Sequence, residues 1–171
     1  MTFVGIDCRG VIREFYPPVE IVKVDARQTD LFPPASFDWI VSISAIEHMG
    51  LGHYSGDPKD VDGDTAVMAN AFRWLKPGGW MSFDVPFDPD GYYADGTSHR
   101  VYDSPQLFRR LIGVPEQESG MTVLRSHTGY AAFRDPTRLI EQPSVERLRR
   151  YGDATDRRPM YFVGVTLQKL S

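Results

Sequence analysis

Apolar runs alternate with polar loops in the rhythm of strands and helices taking turns along the chain. Phe3 to Ile6 is a short apolar run that stops at Asp7. Glu20 to Val24 is β-branched and ends at Asp25, and Phe37 to Ile43 is a third strand-length run. From Trp80 to Val85 the period is two, with Met81, Phe83 and Val85 on one face and Ser82 and Asp84 on the other. Met160 to Leu167 predicts a further strand, and Met121 to Arg125 a shorter one. Between the third and fourth strands the period becomes helical. Val67, Ala71, Trp74 and Leu75 recur on one face of Thr65 to Lys76, with Asp64 as N-cap and Pro77-Gly78-Gly79 as the stop. A second helix is expected from Ser104, with Pro105 in its first turn and Leu107, Phe108, Leu111 and Ile112 facing inward. A third, Ser144 to Tyr151, carries Arg147, Arg149 and Arg150 on a solvated face. Long loops remain at Met49 to Gly63, Pro86 to Arg100 and Arg134 to Pro143, of a length that often carries function. Neither an internal repeat nor a Gly/Ser/Pro-rich linker interrupts the pattern, so it predicts one α/β domain over residues 1–171.

Composition narrows the partners. Lys+Arg 19 against Asp+Glu 23 leaves a net charge of −4 over 171 residues. Binding along a nucleic-acid backbone needs clustered cations that displace counterions, so no nucleic-acid partner is expected. The apolar runs are strand-sized, far short of the ~20 residues that span a bilayer. The N-terminus reaches Asp7 too early for a signal peptide. Cys8 is the single cysteine, which forbids an internal disulfide and a Cys-rich zinc site. The expectation is a cytoplasmic protein with no membrane contact.

Candidate chemistry gathers at the ends of the strands. In an open parallel sheet, ligands bind outside the carboxyl ends, and Asp7 and Asp25 stand there as acceptors for a ribose diol or an adenine amino group. The third strand ends in Ser44-Ala45-Ile46-Glu47-His48 at the same edge. His48 has the side chain suited to taking a proton near neutral pH, and Glu47 can orient it or meet a ligand. His99, Arg100 and Tyr102 follow the loop after the fourth strand; Arg can clamp an anion and Tyr can stack on a sugar. Asp57, Asp60, Asp62 and Asp64 crowd one loop, yet the twelfth position counted from Asp60 is Ala71 and from Asp57 is Met68. Neither is the Glu that a calcium loop requires, so capping and solvation are expected there and no metal.

Taken in order, Val4-Gly-Ile-Asp7, Val24-Asp25-Ala26-Arg27, Ser36-Phe-Asp-Trp-Ile-Val41, Ile46-Glu-His48 and Trp74-Leu-Lys-Pro-Gly-Gly79 resemble the later motifs of class I S-adenosylmethionine-dependent methyltransferases. Residues 44 to 64 are most similar to bacterial members linked to sugar or small-molecule methylation. The resemblance implies a Rossmann-like, doubly wound, mostly parallel sheet with antiparallel C-terminal strands, and S-adenosylmethionine as cofactor. It assigns Asp7, with Cys8 beside it, to the cofactor ribose, Asp25 and Ala26 to adenine, and Ser44, Ala45 and Ile46 to the methionine part. His48 is the first choice of base and His99 the second, with Glu47, Arg100 and Tyr102 at the acceptor.

The chain departs from the family at its start, where the first strand, its Gly-rich turn and the following helix are missing. Without that strand, edges are exposed unless the strands ending at Asp7 and Ser44 pair directly, or a homodimer or partner subunit fills the gap. The reading is methyl transfer to oxygen or nitrogen of a small molecule or glycan. The alternative is a non-catalytic cofactor-binding or regulatory subunit. A nicotinamide oxidoreductase is disfavoured, because the Gly-rich fingerprint and its spacing to an acid are absent.

Overall fold

The period-two segment around Trp80 becomes the backbone of the largest sheet. The computed structural model describes residues 3–8, 19–54, 57–88, 91–94, 99–113, 127–132, 139–141 and 161–169. Within them, β1 (Phe3–Ile6), β2 (Val19–Val22) and β3 (Phe37–Ser42) precede a 3-10 turn (Ile46–His48), helix α1 (Gly63–Trp74) and β4 (Leu75–Phe87). Next come β5 (Tyr93–Ala94), β6 (Arg100–Val101) and helix α2 (Ser104–Gln106), which continues as a π turn over Leu107–Ile112. The last strands are β7 (His127–Ala132), β8 (Leu139–Glu141) and β9 (Tyr161–Gln168). The shorter strand expected at Met121 to Arg125 and the helix expected at Ser144 to Tyr151 lie outside the described residues.

The large sheet has the order β3-β4-β9-β7-β8, with β3 parallel to β4 and the remaining pairings antiparallel. β1 and β2 form a separate parallel pair, and β5 with β6 a small antiparallel one. The expected α/β class and antiparallel final strands are both present. Met81, Phe83 and Val85 sit opposite Leu167, Val165 and Val163 of β9, and all six are buried. Val67, Met68, Ala71 and Phe72 of α1 complete this core. Each such side chain contributes about 1.5–3 kcal/mol when fully buried.

Helix α1 begins with Asp62 at its N-cap, two residues before the expected Asp64, because Asp64 is drawn into the interior. It ends at Trp74, where Leu75 turns extended and β4 starts at once. The expected stop signal therefore lies inside the strand. There the register jumps between Phe37↔Leu75 and Trp39↔Trp80, and Gly78 takes φ +78°, a conformation glycine adopts without strain. The Lys169 ammonium donates to the carbonyls of Phe72 (2.8 Å) and Leu75 (2.6 Å), satisfying the end of α1. In α2, Asp103 accepts from the Gln106 amide as the N-cap. Leu107 and Leu111 are buried as expected, but Phe108 is exposed: the wider π turn, closed by Gly113 N–H to the Phe108 carbonyl, leaves it off the inward face.

Among the described residues β1 pairs with β2 alone and β3 with β4 alone. The direct pairing expected of the strands ending at Asp7 and Ser44 does not occur. Asn70 Nδ2 of α1 donates to the Ala26 carbonyl, and Arg27 reaches Asp57 and the Pro58 carbonyl. These contacts hold the β1–β2 pair on α1 and on the 51–60 loop, leaving a cleft between β1 and β3.

Glycine sets the path of that loop. A Cβ at Gly63 would stand 2.7 Å from the Met49 carbonyl oxygen, and one at Gly50, where φ is +78°, 2.1 Å from that of Asp60. Both neighbours are backbone and have nowhere to move. Gly63→Ala is therefore expected to destabilise the protein by about 1–3 kcal/mol, read as a lower urea midpoint at unchanged m value.

Candidate functional site

The cleft between β1 and β3 widens at the carboxyl ends of the strands into a cavity of about 470 Å³. Asp7 and Cys8 line it from the end of β1, Ala26 from the turn after β2, and Ser44, Ala45 and His48 from the end of β3. Its floor is apolar, with Val67, Ala71 and Trp74 of α1 beneath it. Six of the residues read from the sequence as site residues thus meet around one space.

The turn after β3 is held in an unusual conformation. Ser44 takes φ +44°, in the left-handed region that a non-glycine residue enters only when its surroundings compel it. Its amide donates to Asp84 Oδ1 at 2.6 Å, so a carboxylate of β4 fixes the turn from the neighbouring strand. Alternation put Asp84 on the polar face of its strand, but its partner is forty residues away and left no local signal.

Asp25 is not free to reach across the cavity. Its carboxylate takes a two-pronged ion pair from Arg27, which also binds Asp57 and the Pro58 carbonyl. The Arg27 hydrogen bonds hold the Asp25 carboxyl below the usual range. Ile46, expected beside the methionine part, is instead a core residue with no exposure. An apolar residue at the start of a turn packs under it when the turn folds back over α1.

Arg100 and Tyr102, expected at the acceptor, are buried beneath the site. The Arg100 guanidinium donates to the carbonyls of Met49 (2.6 Å), Val61 (3.2 Å), Glu47 (3.3 Å) and Asp60 (3.4 Å). Tyr102 donates its hydroxyl to Asp64 at 2.9 Å, and burial followed by the Asp64 charge raises its pKa. Arg110 grips the same carboxylate at 2.6 and 2.8 Å, which raises the guanidinium pKa in turn. Arg100 holds the 49–63 loop by satisfying its backbone, and Tyr102 binds the Asp64 carboxylate at the start of α1. Sequence reading missed Arg110, because only the apolar positions of its helix carried a signal.

Above this network the histidines assemble. His48 stacks with His53 at 5.6 Å between ring centroids and meets His99 edge-on at 6.2 Å and Tyr54 at 6.1 Å. His48 and His99, the first and second choices of base, thus lie side by side. Glu47 lies behind His48, with Oε1 3.7 Å from Nε2. Its carboxyl is 2 % exposed, and burial with the Asp84 charge pushes its pKa up to about 7. Among the described residues no three His, Cys, Asp or Glu side chains are placed to hold a metal ion, and no helix is long and apolar enough to cross a membrane.

A family profile described as "Caenorhabditis protein of unknown function, DUF268" matches residues 17–115. No curated protein matches the sequence. Solved structures match in fold. The Burkholderia thailandensis 1,6-didemethyltoxoflavin-N1-methyltransferase has a TM-score of 0.54 at 15 % identity, over 98 % of this chain and 61 % of that one. The cyclase SpnF has a TM-score of 0.58 at 15 % identity, over 99 % and 67 %. A SAM-dependent methyltransferase from Archaeoglobus fulgidus has a TM-score of 0.59 at 14 % identity, over 97 % and 75 %. The fold is therefore Rossmann-like, of the class I methyltransferase type, and the chain spans 61 % of the length of the Burkholderia enzyme. That a cyclase shares it shows why the reaction has to be argued from the site.

The buried Glu47 carboxyl makes stability depend on pH. Unfolded, it titrates near 4.5, and folded near 7, so the folded state holds the extra proton between those values. Its favourable contribution is complete below pH 4.5 and is lost as pH rises through about 7. Glu47→Gln cannot titrate. Urea melts across this range are expected to show the variant gaining on the wild type by roughly 3 kcal/mol as pH rises.

Proposed function

This chain belongs to the DUF268 family, and from its fold and cavity we propose that it transfers a methyl group from S-adenosylmethionine to oxygen or nitrogen of a small molecule or glycan. The observation that carries this reading is the convergence of Asp7, Ala26 and the Ser44–Ala45 turn on one cavity at the carboxyl ends of the strands. A volume of about 470 Å³ is within the ordinary range for a small-molecule site. The donor set also fits a nucleoside: one carboxylate to accept from a diol, small residues at the strand ends, and an apolar floor. When bound, S-adenosylmethionine supplies an electrophilic methyl carbon on a sulfonium sulfur.

The chain's own part is alignment and proton handling. Asp7 would hold the nucleoside end, and the Ser44–Ala45 turn would border the methionine part. His48, at the cavity wall, takes the proton that an acceptor O–H or N–H gives up as its new bond to the methyl carbon forms, and His99 stands next to it as the second base. Asp25 meets adenine only where its clamp with Arg27 opens, so Asp25→Ala reports on the loop as well as on the ligand. Arg100 and Tyr102 contribute by fixing the loop that carries His53 and Tyr54. Calorimetry is expected to show binding of S-adenosylhomocysteine and none of NAD, with Asp7→Asn weakening it about tenfold or more. In an active preparation His48→Ala is expected to lower turnover by about 10²–10⁴. Absence of binding at millimolar S-adenosylhomocysteine overturns the proposal.

Among the described residues β1 and β3 each leave one edge unpaired, which supports a second reading, a cofactor-binding or regulatory subunit that works with another polypeptide. Two strand edges facing one cleft carry backbone groups that an added strand can pair with in place of water. Trp39 and Val41, both about half exposed on β3, lie along that edge. A second copy or a partner subunit would supply the strand. Light scattering on a sizing column is expected to show a dimer that Val41→Asp dissociates. A monomer that binds S-adenosylhomocysteine and turns over removes this reading.

A further inference from the structure

Two carboxylates lie fully inside this part of the molecule, and they are treated differently. Asp64 takes hydrogen bonds from Tyr102 and Arg110, with the Arg100 Nε 3.7 Å away. It is a structural acid with both oxygens hydrogen-bonded. Glu47 is just as buried, but among the described residues its Oε2 has no hydrogen-bond partner. The nearby Arg100 guanidinium is turned to the backbone carbonyls of Glu47 and Met49. A buried carboxyl oxygen without a partner has a large desolvation cost, and structural packing alone does not call for one. What faces it is His48 from its own turn, at 3.7 Å, and Asp84 from β4. Around His48 stand His53 and Tyr54 from the following loop and His99 from the segment before β6.

We propose that Glu47 is the positioning residue of this site: its buried carboxyl and the His48 imidazole act as one proton-sharing pair, with Glu47 orienting the ring and stabilising its protonated form. The inference rests on the reading of His48 as the base and says how that base is set. A His in contact with two other imidazoles is disfavoured as a cation. A carboxylate on its inner side restores its capacity to hold a proton taken from the acceptor. Asp84 holds the arrangement from the other side, because it fixes the Ser44 turn that leads into the Glu47–His48 segment. The 3.7 Å separation is ion-pair range and longer than a hydrogen bond, so the coupling is electrostatic.

The test is an NMR titration of the imidazole resonances in the ligand-free protein, comparing wild type with Glu47→Gln and Glu47→Asp. The pair is expected to titrate as a unit in the wild type. In Glu47→Gln the His48 midpoint should fall by about one pH unit or more, a tenfold loss of proton affinity. Glu47→Asp keeps the charge at a greater distance and should give an intermediate midpoint. It also decides the matter by the same criterion should the glutamine variant fail to fold. A His48 midpoint unchanged in both variants overturns the proposal. Calorimetry of the wild type with S-adenosylhomocysteine runs beside it. Failure there removes the methyltransferase reading and leaves the titration result standing, so the two failures are distinguishable.

Discussion

The Asp64 carboxylate, sealed from solvent, is the point on which the site's geometry depends. It receives the Tyr102 hydroxyl and two nitrogens of Arg110, and its charge lies beside Arg100. Breaking a buried pair of this kind by removing one member costs about 3–5 kcal/mol, because the other charge is left uncompensated. Arg100, held by this charge, in turn satisfies four carbonyls of the loop between β3 and α1. A loop of that length has few apolar contacts of its own. The cation supplies the partners its backbone would otherwise find in water.

That loop joins the two halves of the cavity. At one end it carries His53 and Tyr54 to the His48 ring. At the other it carries Asp57 to Arg27, which holds Asp25 and thereby the end of β2. Gly50 and Gly63 allow its ends to pass at a distance no side chain would tolerate. The β1–β2 pair is consequently anchored through the loop and α1, with no strand ladder to β3. The cleft left between them opens directly into the cavity.

The Rossmann-like architecture brings chemistry to the carboxyl ends of its strands without specifying which chemistry. Here the local features do the discriminating. A strained Ser44 pinned by Asp84, a carboxylate at the end of β1, and a histidine backed by an unpaired buried acid occur within one turn of chain on either side of the cavity. The contrast between Asp64 and Glu47 separates structural charge from charge held in reserve. The first has partners for each oxygen, and the second faces an imidazole and another acid.

Periodicity and punctuation determined the strands and α1. The alternation of Met81, Phe83 and Val85, the helical spacing of Val67, Ala71 and Trp74, and the acids closing the first two runs are local patterns, and local patterns survive without a fold. They also placed Asp7, Ser44, Ala45 and His48 at one sheet edge, and the family resemblance added Ala26; the structure has all five around one cavity. Tertiary structure alone decided which polar residues face it. Arg100 and Tyr102 read as ligand contacts because charge and hydroxyl look alike whether they meet a substrate or a buried carboxylate. Only packing brought Asp64, an expected cap, into contact with them and with Arg110. Asp25 closed on Arg27, two residues along, with Asp57 held on the same guanidinium from 30 residues away, and the π turn left Phe108 facing outward. The directions of Arg100, Tyr102 and Arg110 are set by Asp64, between 36 and 46 positions away, and no spacing along the chain encodes such a contact.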